Sequence, residues 1–517
     1  MPSTDDDRAG VREWAGLGVL ALPTVLLGLD ITALYLAVPA LSSDLRPSNV
    51  QALWIMDVYG FLIAGLLITM GTLGDRLGRR RLLLVGAGAF GLASVAAAFS
   101  TSASMLIAAR AALGVAGATL MPSTLALIGN MFRDPRQRSL AIGIWATMFA
   151  LGMALGPIAG GLLLERFWWG SVFLLALPVV AIVMIAAPLL LPEYRDPGAG
   201  RLDLPSVGVS LLAILPVVYA VKHGADAGLD TTTFVAATVG VVSAAVFVRR
   251  QLRLTDPLLD PGMFRAPAFS AALVVLLVAL VGVGGAMLLV TRHLQVVEQL
   301  SPLTTGLWMG PAALAMFAAA ITAPLLARRI RPAVIVSTTL GASAAGHLLL
   351  SRVEGPGNVG TVVVAFALVY LGLGAIAALG TDLVVGSAPA GRAGSAAAMS
   401  ETVQELGIAV GVAVLGSLAD SVHRATVLAD PRAELLDAGT SSLAGAVAAD
   451  LPPAALDAAR EAQTAGLGVV GTVAGVAVAA LAVIALVLLR GVGPIGAAGS
   501  GTTAGEPRRR TGRIDNL

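Results

Sequence analysis

"GTLGDRLGRRR", residues 71–81, is a short charged stretch that follows one long apolar run and precedes another. Its arginines cannot lie in lipid without a large penalty, since a charged side chain at the bilayer centre costs at least ~2.5–3.5 kcal/mol. The flanking runs are each about 20 residues long, which is the length of a helix that spans a bilayer. The stretch therefore predicts a tight loop at a membrane surface between two transmembrane helices.

Apolar runs and short polar loops alternate along all 517 residues, of which 57% are apolar and only 12% charged. A mean hydropathy of +0.88 is typical of an all-α polytopic membrane protein. The first helix is too long for the apolar segment of a cleavable signal peptide, so we expect it to remain in the mature protein. The runs predict fourteen transmembrane helices, at residues 13–40, 49–73, 82–100, 103–132, 138–164, 168–191, 204–222, 231–248, 268–291, 303–327, 332–350, 359–388, 394–419 and 465–490.

Orientation follows from the basic residues, because cytoplasmic loops of membrane proteins carry an excess of Lys and Arg. With the N-terminus inside, most of the 33 Lys and Arg face the cytoplasm, and both termini are then cytoplasmic. Orientation alone explains the basic tracts, so the net charge of +2 gives no reason to expect a nucleic-acid partner. Without cysteine, disulfide and thiol chemistry are excluded. A composition rich in Arg, Ala and Gly suggests a bacterial protein, and we expect it in the cytoplasmic membrane.

The chain contains an internal repeat. "LGMALGPIAGGLL", residues 151–163, matches "LGIAVGVAVLGSL", residues 406–418, at six of thirteen positions, and each lies in the fifth helix of a six-helix block. Transporters are commonly built from such repeats, although chance similarity between Gly- and Ala-rich helices is the alternative. The repeat predicts a cytoplasmic tail (1–12), a six-helix bundle (13–191), a linker with two inserted helices (192–267), a second six-helix bundle (268–490) and a disordered cytoplasmic tail (491–517). An external loop (421–463) forms either a helical hairpin or a solvated linker.

The opening stretch resembles the signature loop between the second and third helices of the major facilitator superfamily. Glycines allow a tight turn there, and an aspartate among arginines can form an ion pair that breaks when the two halves of a transporter rock. A bare arginine cluster that only anchors the loop inside the cell is the alternative. The resemblance assigns conformational gating to Gly71, Gly74, Asp75, Arg76, Gly78, Arg79 and Arg80.

Two further stretches resemble motifs of the same superfamily. "AARAALGVAG" in helix 4 resembles its intramembrane arginine motif, which assigns Arg110 to proton coupling or to the contact between helices 1 and 4, unless the side chain snorkels to the surface. "LGMALGPIAGG" in helix 5 resembles the motif associated with antiporters, although a generic Gly-x-x-x-Gly packing face would explain its glycines alone. The antiporter motif comprises Gly152, Gly156, Pro157, Gly160 and Gly161.

Fourteen helices with these motifs resemble the fourteen-helix drug:proton antiporters of the superfamily, the group of the quaternary-ammonium exporters of the QacA kind. "LGLDITALYLAVPAL" resembles the helix 1 motif, "LWIMDVYGFLIAG" the helix 2 motif and "MSETVQELG" the acidic segment of helix 13. The likeness covers residues 14 to 490. Helix 10, "TTGLWMGPAALAMF", departs from some multidrug members because it lacks a carboxylate.

Five carboxylates fall inside predicted spans: Asp30, Asp57, Asp382, Glu401 and Glu405. Glu401 and Glu405 share one face of helix 13, and burial with mutual repulsion favours uptake and release of protons. We therefore predict proton coupling by this pair together with Asp30, Arg110 and Asp382. Asp30 and Asp57 are predicted to meet cationic cargo, and for each acid a protonated side chain hydrogen-bonded to a neighbouring helix is the alternative.

A cavity for a lipophilic cation also needs aromatic walls. Besides Asp30 and Asp57, the predicted substrate-binding residues are Tyr35, Trp54, Tyr59, Trp145, Phe149 and Trp308, each of which could instead be ordinary helix packing.

The sequence thus predicts a monomeric antiporter that exports hydrophobic, cationic drugs in exchange for protons. Dedicated export of an antibiotic made by the host is the main alternative, and proton-coupled uptake is disfavoured by the helix 5 motif. A phosphate-binding loop, a catalytic cluster and a metal-ligand cluster are absent from the sequence, so we predict neither an enzyme nor a cofactor, and the proton gradient is the expected energy source.

Overall fold

The computed structural model describes residues 9–195, 203–254, 257, 261–386, 393–429 and 453–493. Within these ranges the regular elements are all helices, and fourteen of them are long and apolar enough to cross a membrane, which confirms the predicted fold class. In chain order they are α1 (Val11–Leu45), α2 (Asn49–Leu77), α3 (Arg79–Ala98), α4 (Ala103–Met131), α5 (Pro135–Arg166), α6 (Ser171–Leu190), α7 (Leu204–Ala227), α8 (Thr231–Gln251), α9 (Pro267–Val297), α10 (Pro302–Ala327), α11 (Pro332–Leu350), α12 (Val359–Gly386), α13 (Ala393–Ala429) and α14 (Pro453–Leu488).

The last two helices differ from their predicted bounds. The sequence predicts that helix 13 ends at residue 419 and helix 14 begins at 465, whereas α13 continues to Ala429 and α14 begins at Pro453. Hydropathy marks only the part of a helix that lies in lipid, while the backbone hydrogen bonds continue into polar sequence. The predicted external loop 421–463 is therefore shorter than expected: its two ends belong to α13 and α14, and residues 430–452 lie outside the described ranges.

The two six-helix sets repeat one packing pattern. In the first set, α1 packs on α5 and α6, and α4 packs on α2 and α3. In the second set, α9 packs on α13 and α14, and α12 packs on α10 and α11. Helix for helix the second set reproduces the first, as expected for a transporter built from two repeats.

Glycines bring the first and fifth helices of each set into close contact. A Cβ at Gly152 would collide with the backbone of Val25 on α1, and one at Gly411 would collide with the backbone of Val281 on α9. Gly156, the partner of Gly411 in the repeated stretch, lies against Thr32. Small residues let membrane helices approach closely enough for their backbones to touch. The repeated sequence therefore marks equivalent helix contacts in the two halves.

The halves meet along two helix pairs, α2 with α13 and α5 with α10. We call the side opposite the 71–81 loop the outer side. There Ser301 donates a hydrogen bond of 2.8 Å to Glu165 Oε1, and a Cβ at Gly161 would lie only 2.6 Å from the carbonyl oxygen of Pro302. Gln295 Nε2 also donates to the carbonyl of Leu36, at 3.1 Å. These contacts join the halves on the outer side.

The inserted helix α7 packs against both halves. Its Leu211 fills the space above Gly65 of α2, while Val218 packs between Phe61 of α2 and Ala409 of α13. All of these contacts are apolar. The second inserted helix, α8, packs mainly on α7.

The close contact between Gly152 of α5 and the α1 backbone can be tested with a control on the same helix. We expect Gly152→Ala to lower the free energy of unfolding by ~1–3 kcal/mol, because its methyl group must displace the α1 backbone. Gly143→Ala should not destabilise the protein, since nothing lies within 4 Å of a Cβ there and alanine favours a helix over glycine. Thermal unfolding of the two purified variants measures both effects. Equal shifts in the two variants would contradict the close-contact role.

Candidate functional site

A small cavity lies between α1, α2, α4 and α13, so residues from both halves line it. Its polar lining consists of Tyr35, Asp57, Tyr59, Arg110 and Glu405, and the remainder includes apolar side chains of α1, α2 and α13. In this conformation the cavity has room for about one water molecule, so a drug-sized ligand requires its walls to move apart. The cavity therefore combines two carboxylates, one guanidinium and two phenol rings with apolar walls.

The arginine of α4 is held by α1 and α2. Arg110 Nη1 donates to Asp30 Oδ2 at 2.8 Å, and Nε donates to the carbonyl of Ile55 at 3.1 Å. The Arg110 guanidinium carbon also lies 4.3 Å from the centroid of the Tyr59 ring. Only 2% of the Arg110 side chain is exposed, so it does not snorkel to the surface. The contact between helices 1 and 4 is therefore present, and the role of Arg110 in proton coupling stays a prediction.

The two cavity carboxylates come from opposite halves. Asp57 of α2 is 1% exposed and Glu405 of α13 is 5% exposed. Gly60, one turn after Asp57, leaves room for Glu405, whose Oε2 would lie 3.9 Å from a Cβ at that position. An anionic group from each half thus faces one space. Asp30 lies beside the cavity and is ion-paired with Arg110.

The remaining predicted acids lie outside this lining. Glu401 is half-buried one turn before Glu405. Asp382 is exposed near the end of α12, on the side of the protein that carries the 71–81 loop. Between α12 and α13, the hydroxyls of Thr381 and Ser400 share a hydrogen bond of 3.0 Å, and Gln404 Nε2 donates to Thr381 Oγ1 at 3.4 Å. Sequence reasoning missed this polar cluster, although five polar residues within "MSETVQELG" were a signal for it.

Two of the six aromatic residues that were predicted to line the cavity do so. Among the described residues that line the cavity, Tyr35 and Tyr59 are the aromatic ones. Trp145 donates from Nε1 to Thr124 Oγ1 at 3.0 Å and so joins α5 to α4. Phe149 packs against the core, and Trp308 is 45% exposed. Trp54, on α2 one turn before the cavity residues, is half-buried.

The predicted gating loop forms a network of charges. Arg79 Nε donates to Asp75 Oδ1 at 2.8 Å, and Nη1 donates to the carbonyl of Pro122 on α4 at 3.3 Å. Gly78 has a φ of +109°, a conformation that glycine adopts readily, and it contacts the Glu193 carboxylate. The backbone N–H of Arg80 donates to Glu193 Oε1 at 3.2 Å. The sequence analysis missed Glu193, because a single acid after α6 resembles any loop residue.

Within the same network, Gly74 gives Arg79 room, since a Cβ there would lie 3.0 Å from Arg79 Cδ. Gly71 lies near Pro122 of α4, while Arg76 is exposed at the end of α2. The gating role of the loop stays a prediction.

The antiporter motif lies at two interfaces at once. Gly152, Gly156 and Gly160 face α1, where a Cβ at Gly160 would lie 3.1 Å from Ala33 Cβ. Pro157 and Gly161 instead face α10, and the carbonyl of Pro157 contacts Gly306. Helix α5 therefore contacts α1 within the first half and α10 of the second half on the outer side.

Comparison with known proteins agrees with this architecture. The sequence model of the Major Facilitator Superfamily matches residues 20–412. The multidrug efflux pump LfrA of Mycolicibacterium smegmatis is 44% identical over 474 residues, which cover 90% of this chain and 94% of that protein. The methyl viologen resistance protein SmvA of Salmonella typhimurium is 35% identical over 467 residues, which cover 87% of this chain and 93% of that protein.

A solved structure of a bacterial homolog to the human lysosomal transporter Spinster, in an inward-facing and unoccupied conformation, has the same fold. Its TM-score is 0.65 at 16% identity, over 93% of this chain and 98% of that chain. A POT family transporter in complex with 5-aminolevulinic acid has a TM-score of 0.63 at 15% identity, over 92% and 96% of the two chains. The match of the family model to most of the sequence confirms the family predicted from the loop after α2: the chain belongs to the Major Facilitator Superfamily and is a multi-pass membrane transporter rather than an enzyme.

Proposed function

We propose that the protein exports hydrophobic, cationic small molecules from the cytoplasm or inner leaflet in exchange for protons, by alternating access. The observation that carries the proposal is the cavity lined from opposite halves by Asp57 and Glu405. A cation bound there is attracted to both halves, so loading the cavity favours an arrangement in which they stay together around the cargo.

The electrostatics of the cavity favour a cation. At an effective dielectric of about 20, the attraction between opposite charges is about four times its value in water. Tyr35 and Tyr59 add aromatic faces, which attract cations through their ring quadrupoles. Because Asp30 is ion-paired with Arg110, we assign the first contact with cargo to Asp57 and Glu405, which line the cavity.

Protons compete with cargo for the same carboxylates. A buried acid that takes up a proton loses its attraction for a cation, so proton uptake from outside releases cargo there. Glu401 and Ser400 of α13 and Thr381 of α12 lie between Glu405 and the side of the protein that carries the 71–81 loop. We assign to this row of polar groups the return of the proton to the cytoplasm, with Asp382 near its end.

The conformational change needs contacts that break on each side in turn. We assign closure on the outer side to α5 and α10, where Ser301 and Glu165 are bonded. Closure on the inner side is assigned to the loop that holds Asp75 and Arg79. The transporter lies, in this proposal, in the bacterial cytoplasmic membrane as a monomer with both termini inside.

Relatives named for multidrug efflux and for methyl viologen resistance support broad export of cations. A second candidate is dedicated export of an antibiotic made by the host. It is favoured by a tetracenomycin C resistance and export protein of Streptomyces glaucescens, 32% identical over 79% of this chain. A panel of cationic, neutral and anionic substrates in inverted vesicles separates the two, because a dedicated exporter moves one compound and its close analogues only.

The energy source gives the first test of the proposal. Inverted vesicles that contain the protein should accumulate a fluorescent lipophilic cation when a pH gradient is imposed without ATP. Collapse of the gradient with an ionophore should abolish accumulation, since cargo then has no proton to exchange with. Undiminished accumulation after collapse would rule out proton antiport.

The α13 acids give a second test. Glu401→Gln with Glu405→Gln should abolish gradient-driven transport, because the cavity loses the groups that exchange protons for cargo. The protein should still insert, as glutamine keeps the shape and hydrogen-bonding capacity of glutamate. Glu13→Gln with Glu354→Gln is the matched control, since it removes two carboxylates that lie outside the cavity lining. Normal transport by the Glu401/Glu405 variant would place the coupling site elsewhere.

A further inference from the structure

The guanidinium of Arg110 is held by the kinds of group that bind an organic cation. It contacts a carboxylate on α1, a backbone carbonyl on α2 and the face of a tyrosine ring on α2. Charge-assisted hydrogen bonds and cation–π contacts are also the interactions expected for a cationic ligand. Arg110 borders the cavity as well. A cation belonging to the protein therefore already occupies the best cation-binding position in the cavity wall.

The other charged and titratable groups of the cavity do not supply a second positive charge for Asp30. Tyr35 of α1, Asp57 and Tyr59 of α2 and Glu405 of α13 line the same space, and Arg110 supplies its positive charge. Asp30 is buried, so water compensates its charge poorly. Whenever Arg110 leaves Asp30, another cation or a proton must take its place.

We propose that Arg110 is a tethered competitor of the cargo: a cationic substrate gains access to Asp30 and Tyr59 only by displacing the guanidinium. This inference rests on the proposed export of cations and adds a third competitor to proton and cargo. Because the side chain is attached to α4, its effective concentration at Asp30 is high and independent of cargo concentration. The tether therefore weakens cation binding, and so helps the transporter to release a cation that it has carried across.

The attachment of Arg110 to α4 also makes the response of the cavity depend on the charge of the ligand. A neutral molecule gains nothing by displacing Arg110, because it has no charge to place beside Asp30. A cation that takes its place breaks the contact that joins α1 to α4, and frees these helices to shift relative to each other. Displacement of Arg110 thus links the charge of the ligand to the packing of the first half.

A purely structural ion pair would have the opposite consequences. If Arg110 only held α1 to α4, its removal would loosen the cavity and weaken every ligand alike. If it competes with cargo, its removal strengthens cation binding and leaves neutral ligands unchanged. The sign of the change for a cation therefore decides between the two roles.

The test is direct binding to purified protein, with tetraphenylphosphonium as the cation and triphenylphosphine as the neutral ligand. At pH 8, Arg110→Gln should tighten tetraphenylphosphonium binding by about tenfold or more, because a positive charge near the ligand is gone and Asp30 is left unpaired. The gain should shrink as the pH is lowered, since protons then compete for Asp30. Triphenylphosphine affinity should stay within about twofold of wild type, because no charge term acts on it.

Three further variants complete the set. Asp30→Asn leaves Arg110 uncompensated and should weaken tetraphenylphosphonium binding by about tenfold or more, again without effect on the neutral ligand. Asp30→Asn with Arg110→Gln removes both charges and should restore cation affinity to near wild type, which also guards against a single variant that fails to fold. Arg292→Gln is the matched control: it breaks another partly buried ion pair, with Asp420 at 3.1 Å, away from the cavity lining. Its cation affinity should equal that of wild type.

Weaker cation binding by Arg110→Gln, or equal changes for the cation and the neutral ligand, would overturn the competitor role. The same holds if the double variant shows no recovery relative to Asp30→Asn. Failure of the proposed export function looks different, because wild-type protein would then not bind or export tetraphenylphosphonium at all.

Discussion

A buried guanidinium on a membrane-spanning helix must find its counter-charges inside the protein, and this constraint shapes the first half of the transporter. Arg110 takes a carboxylate from α1 and a carbonyl and an aromatic face from α2, so three helices are positioned around one side chain. Their arrangement forms one side of the cavity. Asp30 is ion-paired with the arginine, whereas Asp57 and Glu405 line the cavity.

Around this charged centre the helices pack through small residues and apolar side chains. Gly152 and Gly156 hold α5 against α1, and Gly407 and Gly411 do the same for α13 and α9. Such contacts hold α1 to α5 and α9 to α13 rigidly, because their backbones touch. In the proposed transport cycle we therefore expect motion between the halves, along α2 with α13 and α5 with α10. The cavity lies at one of these boundaries, where motion changes its surroundings most.

Much of this architecture could be predicted from the sequence, because the bilayer imposes a simple length and polarity rule on each helix. The fourteen spans, the family and the repeat follow from that rule and from local motifs. Asp30 and Arg110 could each be recognised as unusual in lipid, but their pairing could not be derived. Lipid-facing and core-facing sides of a membrane helix are about equally apolar, so the sequence does not reveal how each helix is rotated. For that reason Trp308 and Trp145 looked like cavity walls, although Trp308 is exposed and Trp145 joins α4 and α5.

The inserted helix α7 touches α2 and α13 through Leu211, Val218 and their apolar neighbours. Apolar contacts have no preferred direction, so such a surface can slide without first breaking hydrogen bonds. In the proposed alternating-access motion, α7 would cover the boundary between α2 and α13 while the halves turn against each other. It would then keep acyl chains away from Glu405, so that the sliding surface belongs to the protein rather than to the surrounding membrane.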